Sequence, residues 1–275
     1  MLNGIVSLIG GVLITTLYGA IMSPYERAAD ATAPQEVVLR MDRAHEEEGS
    51  ARPFMEKATE LYAEGIEYEW PAHKARVDVA DNWILWAMAW LDPLLVRANL
   101  TNVEGLFSAY ESISWERALG RGYGICSQNA LGFADLLSSR YGIEADVIGL
   151  QGHVVVEAQG LLLDPSVGLM VPMDVEEAEE REESRKGVTQ LYEQAFPEGG
   201  TTRTCDVRRN LVNETRFSEL GQFDDAVGNQ RIDGVKGYRP KIYYLERASE
   251  WLKWGIPAIL LLIGVGGLLR ARRTT

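Results

Sequence analysis

The hydrophobic pattern divides the chain into two uncharged ends and a mixed middle. Residues Leu2 to Met22 carry no charged side chain, and neither do Trp254 to Leu269. Because about 20 apolar helical residues cross a bilayer, we predict transmembrane helices over residues 2–22 and 251–269, the second lengthened by a snorkelling lysine. A buried core helix is the alternative at each end, although neither segment has the polar face of one. A cleaved signal peptide is a further alternative at the start, although a positively charged beginning is missing.

Residues 23–110 are predicted to form a mainly helical first part of the region between the spans. The run Val79–Leu95 is strongly apolar, which indicates a buried helix. Its tryptophans follow an i, i+3, i+7 spacing and therefore lie on one helical face; they are Trp83, Trp86 and Trp90. We interpret this aromatic face as part of the core rather than as a ligand platform.

Residues 111–250 contain one helix followed by several short strands, with a C-terminal extension. The stretch "CSQNALGFADLLSSRYG" begins at Cys126 and has apolar residues at helical spacing up to a terminating glycine. The segments "EADVIGL", "HVVVEA" and "LLLDP" then have the composition of strands. The three glycines of "GRGYG", just before the helix, predict a sharp turn or a close backbone approach. This order predicts an α+β fold in which the helix packs on a small antiparallel sheet.

The distribution of charge predicts how the chain would lie in a membrane. Residues 270–275 form the basic tail "RARRTT", and basic residues near a span stay on the cytoplasmic side. Both termini are therefore expected in the cytoplasm and residues 23–250 outside; in a bacterium this means the inner membrane and the periplasm. That middle region has all 40 acidic residues but 23 of the 27 basic ones, a net charge of −17. No basic stripe is present, so nucleic acid is not an expected partner.

Few residues in the chain can act as a nucleophile or as a base, and three of them follow one another in an order that a catalytic triad could use. The chain has two cysteines and three histidines; Cys126 precedes His153 by 27 residues, and Asp164 follows 11 residues later. Cys126 lies in the first turn of the predicted helix, where the partial positive charge favours a thiolate. Two other interpretations stay open: a small buried cysteine in the core, or a disulfide with Cys205. No cysteine and histidine spacing matches a zinc site, and no cofactor motif is present.

The position of Asp164 relative to His153 depends on the turn between two strands. A two-residue loop at Ala158-Gln159 would place the two residues directly opposite each other. A turn at Gln159-Gly160 would make them diagonal neighbours on the same face, whereas a three-residue loop would put Asp164 on the other face. Two of the three registers therefore allow an aspartate that orients the histidine, as in a nucleophilic triad.

These three segments in this order resemble the transglutaminase-like superfamily of papain-like thiol enzymes. The residues that carry the resemblance are "GYGICSQNALGFADLL", "GIEADVIGLQGHVVVEA" and "LLLDPSVG", within about residues 115–168. The resemblance implies a papain-like core and a catalytic triad of Cys126, His153 and Asp164. With the two predicted spans, the chain is similar to the membrane-tethered bacterial branch associated with surface polysaccharide gene clusters.

The resemblance implies a thiol enzyme that acts on amide bonds of a protein or peptide, by hydrolysis or by acyl transfer. Cys126 would attack the carbonyl carbon, His153 would carry the proton, and the backbone N–H of Cys126 would stabilise the oxyanion. For a second oxyanion donor we consider Gln128, Tyr123 and Trp115. The alternative is a catalytically silent binding or assembly module of a membrane export or surface-polysaccharide system, with membrane-protein partners.

Overall fold

The chain divides into two compact units whose limits differ from the predicted boundaries. The structure, a computed structural model, describes residues 10–11, 30–68, 82–98, 111–150, 153–180, 182–195, 230–238 and 240–273. The sheet unit consists of Glu26–Pro71 and Glu111–Pro240, and the terminal unit of Met1–Tyr25, Ala72–Tyr110 and Lys241–Thr275. The predicted 23–110 part is therefore shared between the units, because its first half packs with the sheet and its second half groups with the apolar ends.

The described residues form a mixed α+β structure, as predicted. The helices are α1 Pro34–Glu48, α2 Arg52–Glu64, α3 Trp83–Arg97, α4 Trp115–Arg121, α5 Cys126–Tyr141, α6 Val175–Glu180, α7 Glu182–Ala195, α8 Gly234–Tyr238 and α9 Pro240–Arg273. The strands are β1 Glu67–Tyr68, β2 Tyr123–Gly124, β3 Asp146–Leu150, β4 His153–Ala158, β5 Leu161–Asp164, β6 Leu169–Val171 and β7 Gln230–Ile232.

An antiparallel sheet of order β6-β5-β4-β3-β7 forms the centre of the sheet unit. The helix that begins at Cys126, α5, packs on β3 and β4, and α2 packs on β5 and β6. Helices α6 and α7 contribute to a buried apolar cluster on one face of the sheet, which consists of Ile148, Leu150, Val155, Leu162, Val167, Val171, Val175, Ala178, Val188 and Tyr192. The sheet is therefore covered by helices, and its strands are buried enough to hold polar side chains away from water.

Helix α5 approaches its neighbours closely at Gly132. A Cβ atom at this position would overlap the hydroxyl of Tyr62 and would come within 2.8 Å of the Cβ of Ala118. Tyr62 is itself fully buried and its ring packs 5.0 Å from that of Phe133. The absence of a side chain at Gly132 therefore allows α2 and α4 to pack against α5.

We expect Gly132→Ala to destabilise the fold by about 1–3 kcal/mol, because an extra methyl group in a packed core forces its neighbours to move. The matched control is Gly120→Ala in α4, where an added Cβ meets nothing within 4 Å. Since alanine is the better helix former, this control should be stabilising by about 0.5–1 kcal/mol. Thermal unfolding of the full chain in detergent measures both, and equal transition temperatures for the two variants would contradict the packing described.

The terminal unit contains the long C-terminal helix α9. Among the described residues, one helix is long and apolar enough to cross a membrane: Tyr243–Arg270, 28 residues that include an 18-residue stretch with a mean hydropathy of 1.9. It includes the span predicted over 251–269, and α9 ends at Arg273, within the basic tail. Of the span predicted over 2–22, Gly10 and Gly11 are described and are helical. A Cβ at Gly11 would lie 2.9 Å from Leu261 Cγ, so Gly11 itself lies close to α9.

Helix α3 corrects one interpretation of the sequence. The prediction of a helix in this apolar run is confirmed, but Trp86 is exposed, so the expectation that the tryptophan face is buried in a core is wrong for this residue. Trp83 is half-buried. The side chain of Trp90 lies outside the described part of the chain, as does Cys205. Periodicity identified the shared face correctly, but it does not report what covers that face.

Candidate active site

Cys126 is the first residue of α5, as the sequence predicts. It is a partly exposed free thiol, and the residues one to three turns further along α5 are fully buried, including Ala130, Phe133 and Leu137. The N-cap residue, Ile125, has an extended backbone and offers no side-chain oxygen to the first turn. Serine, threonine, aspartate or asparagine usually occupies this position, and its side-chain oxygen accepts a hydrogen bond from a backbone N–H of the first helical turn. The start of α5 is thus left open to a ligand or a neighbouring polar group.

The glycines before Cys126 shape the chain that leads to it. Gly122 ends α4 in the left-handed conformation with φ 70°. Gly124 approaches the first turn of α5, where an added Cβ would lie 2.7 Å from Gln128 Cγ. The predicted sharp turn is present at Gly122, whereas the close contact at Gly124 is with side chains of α5 rather than with another backbone.

Gln128 has a structural role that the sequence did not reveal. Its Oε1 accepts a hydrogen bond from Ser112 N at 2.7 Å, and its Nε2 donates to Ser112 O at 2.6 Å. The side chain thus ties the segment before α4 to the Cys126 helix. Of the other oxyanion candidates, Tyr123 is buried in β2, and the backbone N–H of Trp115 donates to Asp135 Oδ2 at 3.1 Å.

His153 and Asp164 meet across the β4–β5 hairpin. The ladder pairs Ala158 with Leu161, so Gln159 and Gly160 form the turn. Both have positive φ, 54° and 73°, as in the type I′ turns that suit two-residue hairpins. This is the second of the three predicted registers. His153 and Asp164 therefore share a face of the sheet, and His153 Nε2 lies 2.8 Å from Asp164 Oδ2.

Asp164 is held by two further hydrogen bonds in a site that excludes water. The hydroxyl of Tyr192 donates to Asp164 Oδ2 at 2.7 Å, and the backbone N–H of Ser166 donates to Oδ1 at 3.0 Å. The side chains of His153 and Asp164 are both 1% exposed. Carboxylates that accept several hydrogen bonds stay ionised even when buried. This arrangement fixes both the position of the carboxylate and the plane of the imidazole.

The electrostatic environment favours a charged pair. Burial alone would lower the pKa of His153, but the charge and hydrogen bond of Asp164, together with the side chain of Cys126, raise it to about 10. Burial would raise the pKa of Asp164, but His153, the Tyr192 hydroxyl and the Ser166 N–H together lower it. Because Nε2 faces Asp164, Nδ1 is the other ring nitrogen through which His153 can exchange a proton. Of the three predicted residues, His153 and Asp164 are in direct contact, and the side chain of Cys126 lies near enough to contribute to the raised pKa of His153.

Tyr68 is the neighbour of Cys126 that sequence reasoning missed. Strand β1 pairs in parallel with β2, which places Tyr68 beside Gly124, two residues before the thiol. The phenol lies near enough to the thiol and the backbone N–H of Cys126 for both groups to influence its pKa. Burial and then the proximity of Cys126 raise the pKa of Tyr68 above its usual value. The backbone N–H expected to serve as an oxyanion donor thus already has an oxygen atom beside it.

Tyr192 was also missed, for a different reason. It lies on α7, just beyond the charge-rich stretch 174–186, and 28 residues from Asp164. A tyrosine at an inward position of an amphipathic helix was the signal available in the sequence. Burial and then Asp164 raise the pKa of Tyr192 well above its usual value, so its hydroxyl remains a donor.

Comparison with known proteins adds no family to this description. No protein-family model, no curated protein and no solved structure matches the chain. Within the described ranges, no three His, Cys, Asp or Glu side chains converge as the ligands of a metal ion would. The geometry around Cys126 is therefore the main indication of function.

Proposed function

We propose that the protein is a membrane-anchored thiol enzyme of the transglutaminase-like, papain-like type, which acts on amide bonds through Cys126, His153 and Asp164. The observation that carries this proposal is the 2.8 Å contact between His153 and Asp164, in a buried site where His153 also interacts with Cys126. A nucleophilic triad needs this chain of contacts: a thiol, a base within its reach and a group that orients the base.

The proposed reaction begins from a thiolate and an imidazolium. The Cys126 sulfur attacks the amide carbonyl carbon, and the electrons of the C=O bond move to the oxygen. When the tetrahedral intermediate collapses, the C–N bond breaks and His153 Nδ1 gives its proton to the leaving amine, which leaves a thioester on Cys126. Water or a second amine then attacks the thioester, His153 takes up the proton of that nucleophile, and the thiolate is restored. Asp164 holds the imidazole throughout and does not itself take the proton.

The oxyanion is assigned to the backbone N–H of Cys126 and the hydroxyl of Tyr68. Gln128 is less suited to this role because its amide oxygen and nitrogen both bond to the backbone of Ser112. The Tyr68 hydroxyl lies beside the relevant N–H, so a small rotation of the phenol would make room for a carbonyl oxygen. It would then donate to that oxygen instead of contacting the thiol. Two converging donors are the usual composition of an oxyanion hole.

The membrane topology belongs to the same proposal. Helix α9 has the length and composition of a membrane span, and the uncharged segment 2–22 supplies a second. With the basic residues after Leu269 in the cytoplasm, both termini are cytoplasmic and the sheet unit is extracytoplasmic, which in a bacterium is the periplasm. The expected substrate is then a protein or peptide outside the cytoplasm, and other membrane proteins are possible partners.

Transfer and hydrolysis can be measured with one substrate pair. The full chain in detergent is mixed with a glutamine-containing protein such as casein and with a fluorescent primary amine. Transfer gives fluorescent casein and releases ammonia from the glutamine, whereas hydrolysis gives glutamate in place of glutamine, or new peptide termini, without the fluorescent label; mass spectrometry distinguishes these products. We expect one of these products from the wild type and none from Cys126→Ser. If the wild type gives neither product and forms no thioester on Cys126 with an activated ester, the binding-module alternative replaces the enzyme.

A further inference from the structure

Helix α3 presents apolar side chains outward and a charged side chain inward. Leu85 and Asp92, seven residues apart and hence on one face, are both buried. On the opposite side, Trp86, Leu91 and Leu94 are 44%, 41% and 51% exposed. A surface helix in water shows the reverse arrangement, with its charged residues outward. The medium that faces the outer side of α3 is therefore expected to be apolar.

The start of α3 is fixed to the C-terminal helix α9. The indole nitrogen of Trp83 donates to the carbonyl oxygen of Lys253 at 3.1 Å. The amide nitrogen of Asn82 donates to Ser249 Oγ at 2.8 Å and to Glu250 Oε1 at 2.9 Å. Residues 249–253 come directly before the uncharged run 254–269. Helix α3 thus begins at the level where α9 would enter a bilayer.

Exposed tryptophans mark the same level on α9. Trp251 and Trp254 are both exposed, and tryptophan is enriched at the boundary between headgroups and acyl chains. The same residue type occurs on the outer side of α3 at Trp86. The segment that contains α3 also belongs to the terminal unit together with both apolar ends of the chain. The outer face of α3 is therefore continuous with a lipid-facing surface.

The length of α3 determines how it can meet the bilayer. Its 15 residues span about 22 Å at 1.5 Å per residue, which is less than the roughly 30 Å of the hydrocarbon core. It therefore does not cross the membrane, but a helix with an apolar outer face can lie in the plane of the interface. Asp92 is turned away from the hydrocarbon, where a carboxylate would be costly. Arg97 is exposed at the end of the helix, within reach of lipid phosphates.

We propose that α3 is an interfacial membrane helix, with Trp86, Leu91 and Leu94 inserted among the lipid acyl chains at the extracytoplasmic surface. The proposal rests on the membrane anchoring under Proposed function. It gives the protein a third contact with the bilayer besides the two spans.

Nitroxide labels on single cysteines test the proposal in the full chain. In a Cys126→Ser, Cys205→Ser background, the protein with Leu94→Cys is labelled and reconstituted into vesicles of phosphatidylcholine and phosphatidylglycerol. Electron paramagnetic resonance then compares collisions of the label with oxygen, which concentrates in lipid, and with a water-soluble nickel complex. The matched control is Leu39→Cys on α1 of the sheet unit, because Leu39 is 52% exposed and Leu94 is 51% exposed.

We expect the logarithm of the oxygen-to-nickel collision ratio to be positive at Leu94→Cys and negative at Leu39→Cys. Leu91→Cys is a second position with the same expected sign, so misfolding of one variant does not decide the result. A negative value at both α3 positions overturns the proposal, and so do low collision rates with both reagents, which would indicate a protein partner. Leu262→Cys, in the middle of α9, tests the membrane span separately. A negative value at this position overturns the span itself. A positive value there, together with negative values at the α3 positions, overturns only the interfacial helix.

Discussion

Alkylation of Cys126 by iodoacetamide at pH 6 is expected to slow by roughly 10- to 100-fold when His153 is replaced by alanine. An ordinary thiol with a pKa near 8.5 is only about 0.3% thiolate at pH 6. Alkylation proceeds through the thiolate, which the proposed imidazolium of His153 favours, and the lower intrinsic nucleophilicity of such a sulfur offsets only part of this gain. His153 stays protonated at pH 6 because Asp164 and Cys126 raise its pKa to about 10 against the opposing effect of burial. The rate is measured by mass spectrometry of the labelled peptide.

The second cysteine of the chain supplies an internal control for this measurement. Cys205 has no base assigned to it, so His153→Ala should leave its labelling unchanged. Asp164→Asn should slow the labelling of Cys126 less than His153→Ala does, because it disturbs the orientation of the imidazole without removing it. The ion pair is refuted if Cys126 and Cys205 react equally slowly in the folded protein, both label after denaturation, and His153→Ala changes neither rate.

The sequence predicted the local features around the site better than it predicted the long-range ones. The start of α5 at Cys126 follows from apolar spacing and from the glycines before it, which act within a few residues. The hairpin was predicted with three registers open, because the choice depends on Gln159 adopting a positive φ. Side chains other than glycine, asparagine and aspartate seldom adopt that conformation, so the packing of the whole sheet decides it. With the register fixed, the contact between His153 and Asp164 follows.

The partners supplied by distant segments could not be read from the sequence. Tyr68 reaches Cys126 through the short parallel pair of β1 and β2, which joins residues 56 positions apart along the chain. Tyr192 reaches Asp164 from a helix on the covered face of the sheet. Neither position has a local pattern that distinguishes it from an ordinary core tyrosine. The outward face of α3 was misread for a related reason: periodicity defines a face, whereas the identity of the medium depends on tertiary structure.

Replacing Asp164 by alanine is expected to destabilise the folded protein by about 3–5 kcal/mol, the usual cost of removing one partner from a buried ion pair. The carboxylate accepts hydrogen bonds from His153, Tyr192 and Ser166, and all three donors would be left in a site that water does not reach. Asp164→Asn keeps the shape and one acceptor oxygen, so its cost should be smaller. In a chain of this size the loss for alanine corresponds to a decrease of roughly 10 °C in the unfolding temperature.

A second aspartate, Asp174, serves as the control for the destabilisation expected from Asp164→Ala. Its side chain caps the first turn of α6 and, within the described part of the chain, belongs to no buried network. Asp174 accepts one exposed hydrogen bond from Glu177 N at 2.8 Å, so Asp174→Ala should cost only about 1 kcal/mol. Thermal unfolding of the full chain in detergent at pH 6 compares the two variants. Similar transition temperatures for Asp164→Ala and Asp174→Ala would mean that the buried network contributes little, and the description of the triad as a rigid unit would then be wrong.

The pH dependence of the unfolding temperature shows whether the negative charge of Asp164 is responsible for its stabilising effect. Against the opposing effect of burial, His153 and the other donors lower the pKa of folded Asp164 below the value near 3.9 of an unfolded chain. Its stabilising contribution is therefore complete above about pH 4–5 and is lost as the pH falls through the folded pKa. The difference in unfolding temperature between the wild type and Asp164→Asn should accordingly shrink as the solution is acidified below about pH 4. A difference that stays unchanged down to pH 3 would mean that the hydrogen-bonding shape of the side chain, and not its charge, holds His153 in place.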